Sequence, residues 1–121
     1  MSLSKLFKFQ SEGDLIIVDL QSEVSSLVDS ELLEEMRPML ESAEKTNLKH
    51  MVIDFEQVSY FGSIMLEALR ALWNHVSAAG GKMVLCNVSD TGREILQLAR
   101  FDTIWTIYET RAEAIKAVYE D

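Results

Sequence analysis

The stretch His50–Val88, HMVIDFEQVSYFGSIMLEALRALWNHVSAAGGKMVLCNV, decides how the chain folds. His50-Met51-Val52-Ile53-Asp54-Phe55 is a short, nearly continuous apolar run, the pattern of a strand buried on both faces. Beyond it Met65, Leu69, Leu72, Val76 and Ala79 recur at spacings of four and three, with Leu66 and Trp73 widening the stripe, which predicts an amphipathic helix. Gly80-Gly81 supplies the stop expected at a helix C-terminus, and Lys82-Met83-Val84-Leu85-Cys86-Asn87-Val88 reads as the next buried strand. Strand, helix and strand in this order imply parallel strands joined by a right-handed crossover.

Working outward, Leu6-Phe7-Lys8-Phe9 alternates, Ser11-Glu12-Gly13-Asp14 contains a glycine turn, and Leu15–Leu20 is apolar again, so a hairpin is expected at the start of the sheet. Asp29 is a candidate N-cap for a first helix with Glu31 and Glu34 in its first turns and Leu32, Met36, Met39 and Ala43 on its apolar side. Pro38 inside it predicts a kink or break, since an interior proline costs about 3 kcal/mol. Downstream, Asp90-Thr91 reads as the cap of a helix in which Thr91 and Glu94 have capping-box spacing and Ile95, Leu96, Leu98 and Ala99 form the apolar side. Thr103–Tyr108, rich in β-branched and aromatic residues, reads as a strand, and a last helix from Thr110 to Tyr119 buries Ala114, Ile115 and Val118. The order β-β-α-β-α-β-α-β-α is an α/β fold: an open mixed sheet, an initial antiparallel hairpin followed by parallel strands, packed with about four helices. The chain of 121 residues carries no repeat or linker, so residues 1–121 are read as a single domain.

Composition narrows the function. The chain is 48% hydrophobic and 26% charged, which is globular, and its net charge of −9, from 11 basic against 20 acidic residues, argues against nucleic-acid binding. A basic protein surface is a better partner for such a chain. Cys86, the only cysteine, sits in MVLCNV and reads as a buried thiol, excluding an intramolecular disulfide. The chain opens with no secretory pattern, and no apolar run approaches the roughly 20 residues of a membrane span, so a cytoplasmic protein without membrane insertion is expected.

Catalytic chemistry finds few candidates. Asp54, near the end of a parallel strand, could hold a ligand or metal, or bond loop amides, and the second reading is favoured. His50 and His75 have neither zinc-ligand spacing nor a nucleophile nearby in sequence. Gly80-Gly81 lies in no phosphate-loop pattern, and the acidic run Glu31–Glu35 reads as the solvated side of a helix. No catalytic residues, metal or cofactor are expected. Ser63 stands at a helix start, where it reads as an N-cap; a hydroxyl there is also a favourable phosphorylation site, because the added charge meets free amides.

Taken together, VIDFEQVSYFGSIMLEALRALWNHVSAAGGKMVLCNVSDTGREILQLARFDTIWTIYETRAEAIKAV resembles the STAS domain of anti-sigma factor antagonists. The buried strand, the V-S-Y-F turn, the long helix, Gly-Gly, the K-M-V-L-C-N-V strand and the S-D-T-G-R-E helix resemble family landmarks in the same order, over nearly the whole chain. The resemblance implies a non-enzymatic switch that binds an anti-sigma factor that is also a serine kinase, until phosphorylation of the antagonist ends the binding. The family turn reads D-S-S-G-L with the second serine as acceptor; without gaps, Gly62 falls on the aspartate, Ser63 on the first serine, Ile64 on the acceptor, Met65 on the glycine and Leu66 on the leucine. The acceptor position is therefore degenerate, with Ser63 the remaining candidate acceptor. Tyr60, Phe61, Gly62, Ser63, Ile64, Met65 and Asp90 are the partner-binding residues the resemblance implies. An alternative role is that of a STAS-type accessory subunit of a membrane lipid or anion transport system; an Asp54 enzyme and a nucleotide-binding domain are weaker rivals.

Overall fold

Leu15-Ile16-Ile17-Val18 and Met51-Val52-Ile53 are buried at every position, which only strands covered on both faces allow. The computed structural model describes residues 7–21, 37, 41 and 49–120. Its five-stranded sheet has the order β1-β2-β3-β4-β5, with β1 Phe7–Glu12, β2 Leu15–Leu20, β3 His50–Asp54, β4 Met83–Cys86 and β5 Ile107–Tyr108. Strands β1 and β2 form the antiparallel hairpin, turning at Gly13 with φ +58°, and β2 to β5 run parallel.

Helices α1 (Ser63–Ala78), α2 (Asp90–Leu98) and α3 (Arg111–Val118) pack on this sheet. Side chains alternate along each strand. Ile16, Val18, Met51, Ile53 and Leu85 meet Met65, Leu69, Leu72 and Val76 of α1 and Leu96 of α2. Leu15, Ile17, Val52, Val84 and Cys86 face Ala114 and Val118 of α3 on the opposite side. The result is a helix/sheet/helix sandwich in which the predicted stripe of α1 is the main core contact; truncating Leu69 to alanine would cost about 2–5 kcal/mol. Gly80, with φ +79°, ends α1 in the left-handed conformation that a helix stop needs. Of the predicted helix around Asp29–Ala43 only Arg37 and Glu41 are described, both helical; the rest of it, its Pro38 kink and the Glu31–Glu35 run lie outside the described residues.

Three local expectations are corrected. Thr103–Tyr108 is not one strand: Phe101–Thr103 forms a short 3-10 helix and only Ile107–Tyr108 pairs with β4. Packing overrides propensity here, because a helical turn brings Phe101 and Trp105 together at 4.9 Å and seats Trp105 in the core at 2% exposure. The cap of α2 is Ser89, one residue before the predicted Asp90-Thr91; its Oγ accepts from Gly92 N–H at 3.0 Å. Leu98, placed on the apolar side by its spacing, is 87% exposed. Thr110 does cap α3, accepting from Glu113 N–H at 3.1 Å.

Candidate protein-interaction site

The segment between β3 and α1 is held by three buried apolar side chains. Phe55, Val58 and Phe61 lie in the core, with the Phe55 and Phe61 rings 5.2 Å apart, and Val58 N–H closes a turn onto Phe55 C=O at 2.9 Å. Anchors at 55, 58 and 61 leave the residues between them outside: Ser59 is exposed and Tyr60 is 57% exposed. The carbonyl of Ser59 accepts a hydrogen bond from Ser89 Oγ at 2.9 Å, and the same hydroxyl caps α2, so the turn and the start of α2 are tied by one side chain. Gly92 allows this approach, since a Cβ there would stand 2.8 Å from Val88 Cγ1 and 3.2 Å from the Phe61 ring.

Gly62, and not Ser63, is the N-cap of α1. Its extended backbone (φ −103°, ψ −168°) suits a cap, but it has no side chain to accept from the first-turn amides. Ser63 becomes the first helical residue, with its side chain exposed, and Ile64 follows within the first turn. Of the predicted partner-binding residues, the structure presents Tyr60, Gly62, Ser63 and Asp90 to solvent. It places Phe61 (1% exposed) and Met65 (3%) in the core, correcting the expectation that they form the contact surface: they position the turn. Asp90, Glu94 and Leu98 are all exposed and recur every fourth residue, so they line one row of α2 leading away from the turn.

Beneath this surface, the carboxyl ends of the parallel strands carry a polar network. Asp19, Asp54 and Cys86 stand in register on adjacent strands. Asp54, 2% exposed, accepts from Glu56 N–H at 2.9 Å, Asn87 Nδ2 at 3.1 Å and Arg111 Nε at 2.8 Å. Arg111 Nη2 reaches Asp19 Oδ2 at 2.7 Å. The favoured reading of Asp54, a carboxylate bonded to loop amides, is what the structure holds, with a side-chain amide and a guanidinium added. Hydrogen bonding to Asp19, and then to Asp54, raises the Arg111 pKa above its usual value, so the cation is permanent. Asn87 adopts φ +56°, a left-handed conformation that asparagine tolerates, while its amide points to Asp54. Burial, reinforced by the charge of Asp54, pushes the Cys86 thiol up to about 12, which makes it an inert core residue.

Arg111, Asp19 and Asn87 were not singled out in the sequence. The signal was present in Leu15-Ile16-Ile17-Val18-Asp19 and Met51-Val52-Ile53-Asp54, two apolar runs each ending in aspartate, which demand a shared cation if the strands are neighbours. His50 is a packed histidine: Nδ1 accepts from Lys82 N–H at 3.0 Å and the ring meets Tyr119 edge-on. His75 lies in the last turn of α1. Among the described residues, no group of three His, Cys, Asp or Glu side chains could hold a metal ion. No helix among them is long and apolar enough to cross a membrane.

A mixed sheet of this order, with a pinned turn leading into its central helix, places the protein in the STAS class. The chain belongs to the STAS domain family, whose model matches residues 6–114. It is similar to an anti-sigma-factor antagonist (STAS) domain protein from Planctomyces limnophilus, at 25% identity over 94% of this chain and 98% of that one, with a TM-score of 0.78. A putative anti-sigma factor antagonist from Thermotoga maritima is 19% identical, with 94% and 95% coverage and a TM-score of 0.79. The Bacillus cell fate determinant SpoIIAA shares the fold in its unphosphorylated form, at 22% identity, 93% and 95% coverage and a TM-score of 0.78, and in its phosphorylated form at 0.71.

Proposed function

We propose that this STAS domain acts by protein–protein interaction as an anti-sigma factor antagonist, without catalysis, and that its serine switch is degenerate. Its partner is an anti-sigma factor of the serine-kinase type, docking on Tyr60, Gly62 and Ser63 and on the row Asp90, Glu94 and Leu98 of α2. The observation that carries this reading is the turn itself, which is anchored through Phe55, Val58 and Phe61 and presents Tyr60 at 57% exposure beside an α2 start bound to it through Ser89. A large exposed aromatic on a rigid base is the usual anchor of a protein interface. The anti-sigma factor antagonists among the structural neighbours support the choice of partner.

The degenerate switch rests on Ile64, which has no hydroxyl at the family's acceptor position, and on Gly62, which leaves the helix start without the family's aspartate. Titration calorimetry with the chain's cognate anti-sigma factor tests the docking. Tyr60→Ala is expected to weaken binding about tenfold or more while leaving the fold intact. Equal affinity in wild type and Tyr60→Ala, or no binding by wild type, would remove the proposed site.

A further inference from the structure

Strand β1 is one edge of the sheet, and Lys8 to Glu12 are exposed along it. The two-residue turn Gly13-Asp14 makes Glu12 and Leu15 the hydrogen-bonded pair that closes the hairpin. Bonding alternates from there, so Gln10 and Lys8 also turn their backbone groups toward β2, while Phe9 and Ser11 direct N–H and C=O away from the sheet. Such an edge is a template for another strand. Phe9, 45% exposed, lies on one face of this edge, and Lys8, Gln10 and Glu12 lie on the other. Neither Lys8 nor Glu12 has an ion-pair partner among the described residues.

We propose that a second copy of this chain occupies the edge, its β1 running antiparallel in a register centred on Gln10. Charge selects that register. Centred on Gln10, Lys8 of each copy faces Glu12 of the other, Phe9 and Ser11 exchange both backbone hydrogen bonds, and the Phe9 side chains meet diagonally across the two-fold axis. Centring on Phe9 sets Lys8 opposite Gln10 and makes no ion pair; centring on Lys8 sets two lysines against each other. Centring on Ser11 runs Phe9 against Gly13, where the strand has ended. The sheet then continues through both copies. A single short strand buries little area, so the dimer forms only as concentration rises.

Disulfide trapping reads the register directly. Residues at position 10 form a non-hydrogen-bonded pair with Cα atoms about 4.5 Å apart, within disulfide range, and the native Cys86 is buried and does not compete. In a glutathione redox buffer, Gln10→Cys is expected to form the intermolecular disulfide at least about tenfold faster than Ser77→Cys, an exposed site on α1. Adding Lys8→Glu to Gln10→Cys slows trapping about tenfold, because two attractive pairs become repulsive, and adding Glu12→Lys as well restores it. Trapping of Gln10→Cys no faster than Ser77→Cys, or a charge swap as slow as Lys8→Glu alone, would overturn the proposal.

Discussion

Arg111 Nε donates to Asp54 Oδ2 at 2.8 Å across 57 residues of sequence, and this contact ties the start of the last helix to the end of the central strand. Asp54 is almost fully buried and stands beside Asp19 on the neighbouring strand, so the guanidinium bridges two carboxylates that would repel more strongly without it. Removing one partner of a buried ion pair leaves the other charge uncompensated. Arg111→Met is therefore expected to lower unfolding free energy by about 3 kcal/mol, and Asp54→Asn added to it to recover part of the loss. Urea denaturation of the single and double variants measures both.

Gly62 caps α1 with backbone alone, and a Cβ there meets nothing within 4 Å. Gly62→Asp is expected to stabilise the domain by a few tenths of a kcal/mol, since aspartate accepts from a first-turn amide and favours the positive end of the helix. A lower thermal midpoint for this variant would contradict the description of the helix start.

Arg100 follows α2 with φ +63° and ψ 24°, a left-handed residue where helices commonly place glycine. Arg100→Gly relieves Cβ crowding at that position and should raise stability by about 1 kcal/mol. The Thr103 Oγ1 bond to the Arg100 carbonyl at 2.9 Å involves only backbone at position 100 and survives the change.

Burial lowers the pKa of His50 below its ordinary 6.5, with Lys49 and Lys82 acting in the same direction and Asp14 opposing. The folded state thus holds the proton less tightly than the unfolded state. This contribution to stability is fully present above the unfolded pKa of about 6.5 and is lost as the pH falls through the lowered folded value. Protonation of Nδ1 would also break the bond from Lys82 N–H. Denaturation midpoints are expected to decline as the pH falls below the ordinary histidine value of about 6.5, and His50→Gln to flatten that decline.

The parts of the fold legible in the sequence were those with one dominant period. The stripe Met65-Leu69-Leu72-Val76 and the runs at Leu15–Val18 and Met51–Ile53 carry their burial in their spacing. Capping was legible to within a residue, because Ser89, Asp90 and Thr91 are all good caps and only the approach of Ser59 selects Ser89. Thr103–Tyr108 misled because its β propensity is local, whereas the seating of Trp105 in the core at 2% exposure is tertiary. In the turn, sequence alone left Met65 as suited to a contact surface as to a tucked helix start, and the structure shows the latter. The Asp19–Asp54–Arg111 network needed the strand register, which no spacing along the chain contains.

The proposed docking turn lacks the family's phosphate acceptor, with Ile64 in its place. Incubation with the cognate anti-sigma kinase and ATP, followed by intact-mass and peptide mass spectrometry, tests this most directly. Wild type is predicted to remain unmodified under conditions in which an Ile64→Ser variant, carrying Gly62→Asp as well, acquires one phosphate at position 64. Phosphate on Ser59 or Ser63 of the wild type would mean that the turn keeps an acceptor and that its switch is intact.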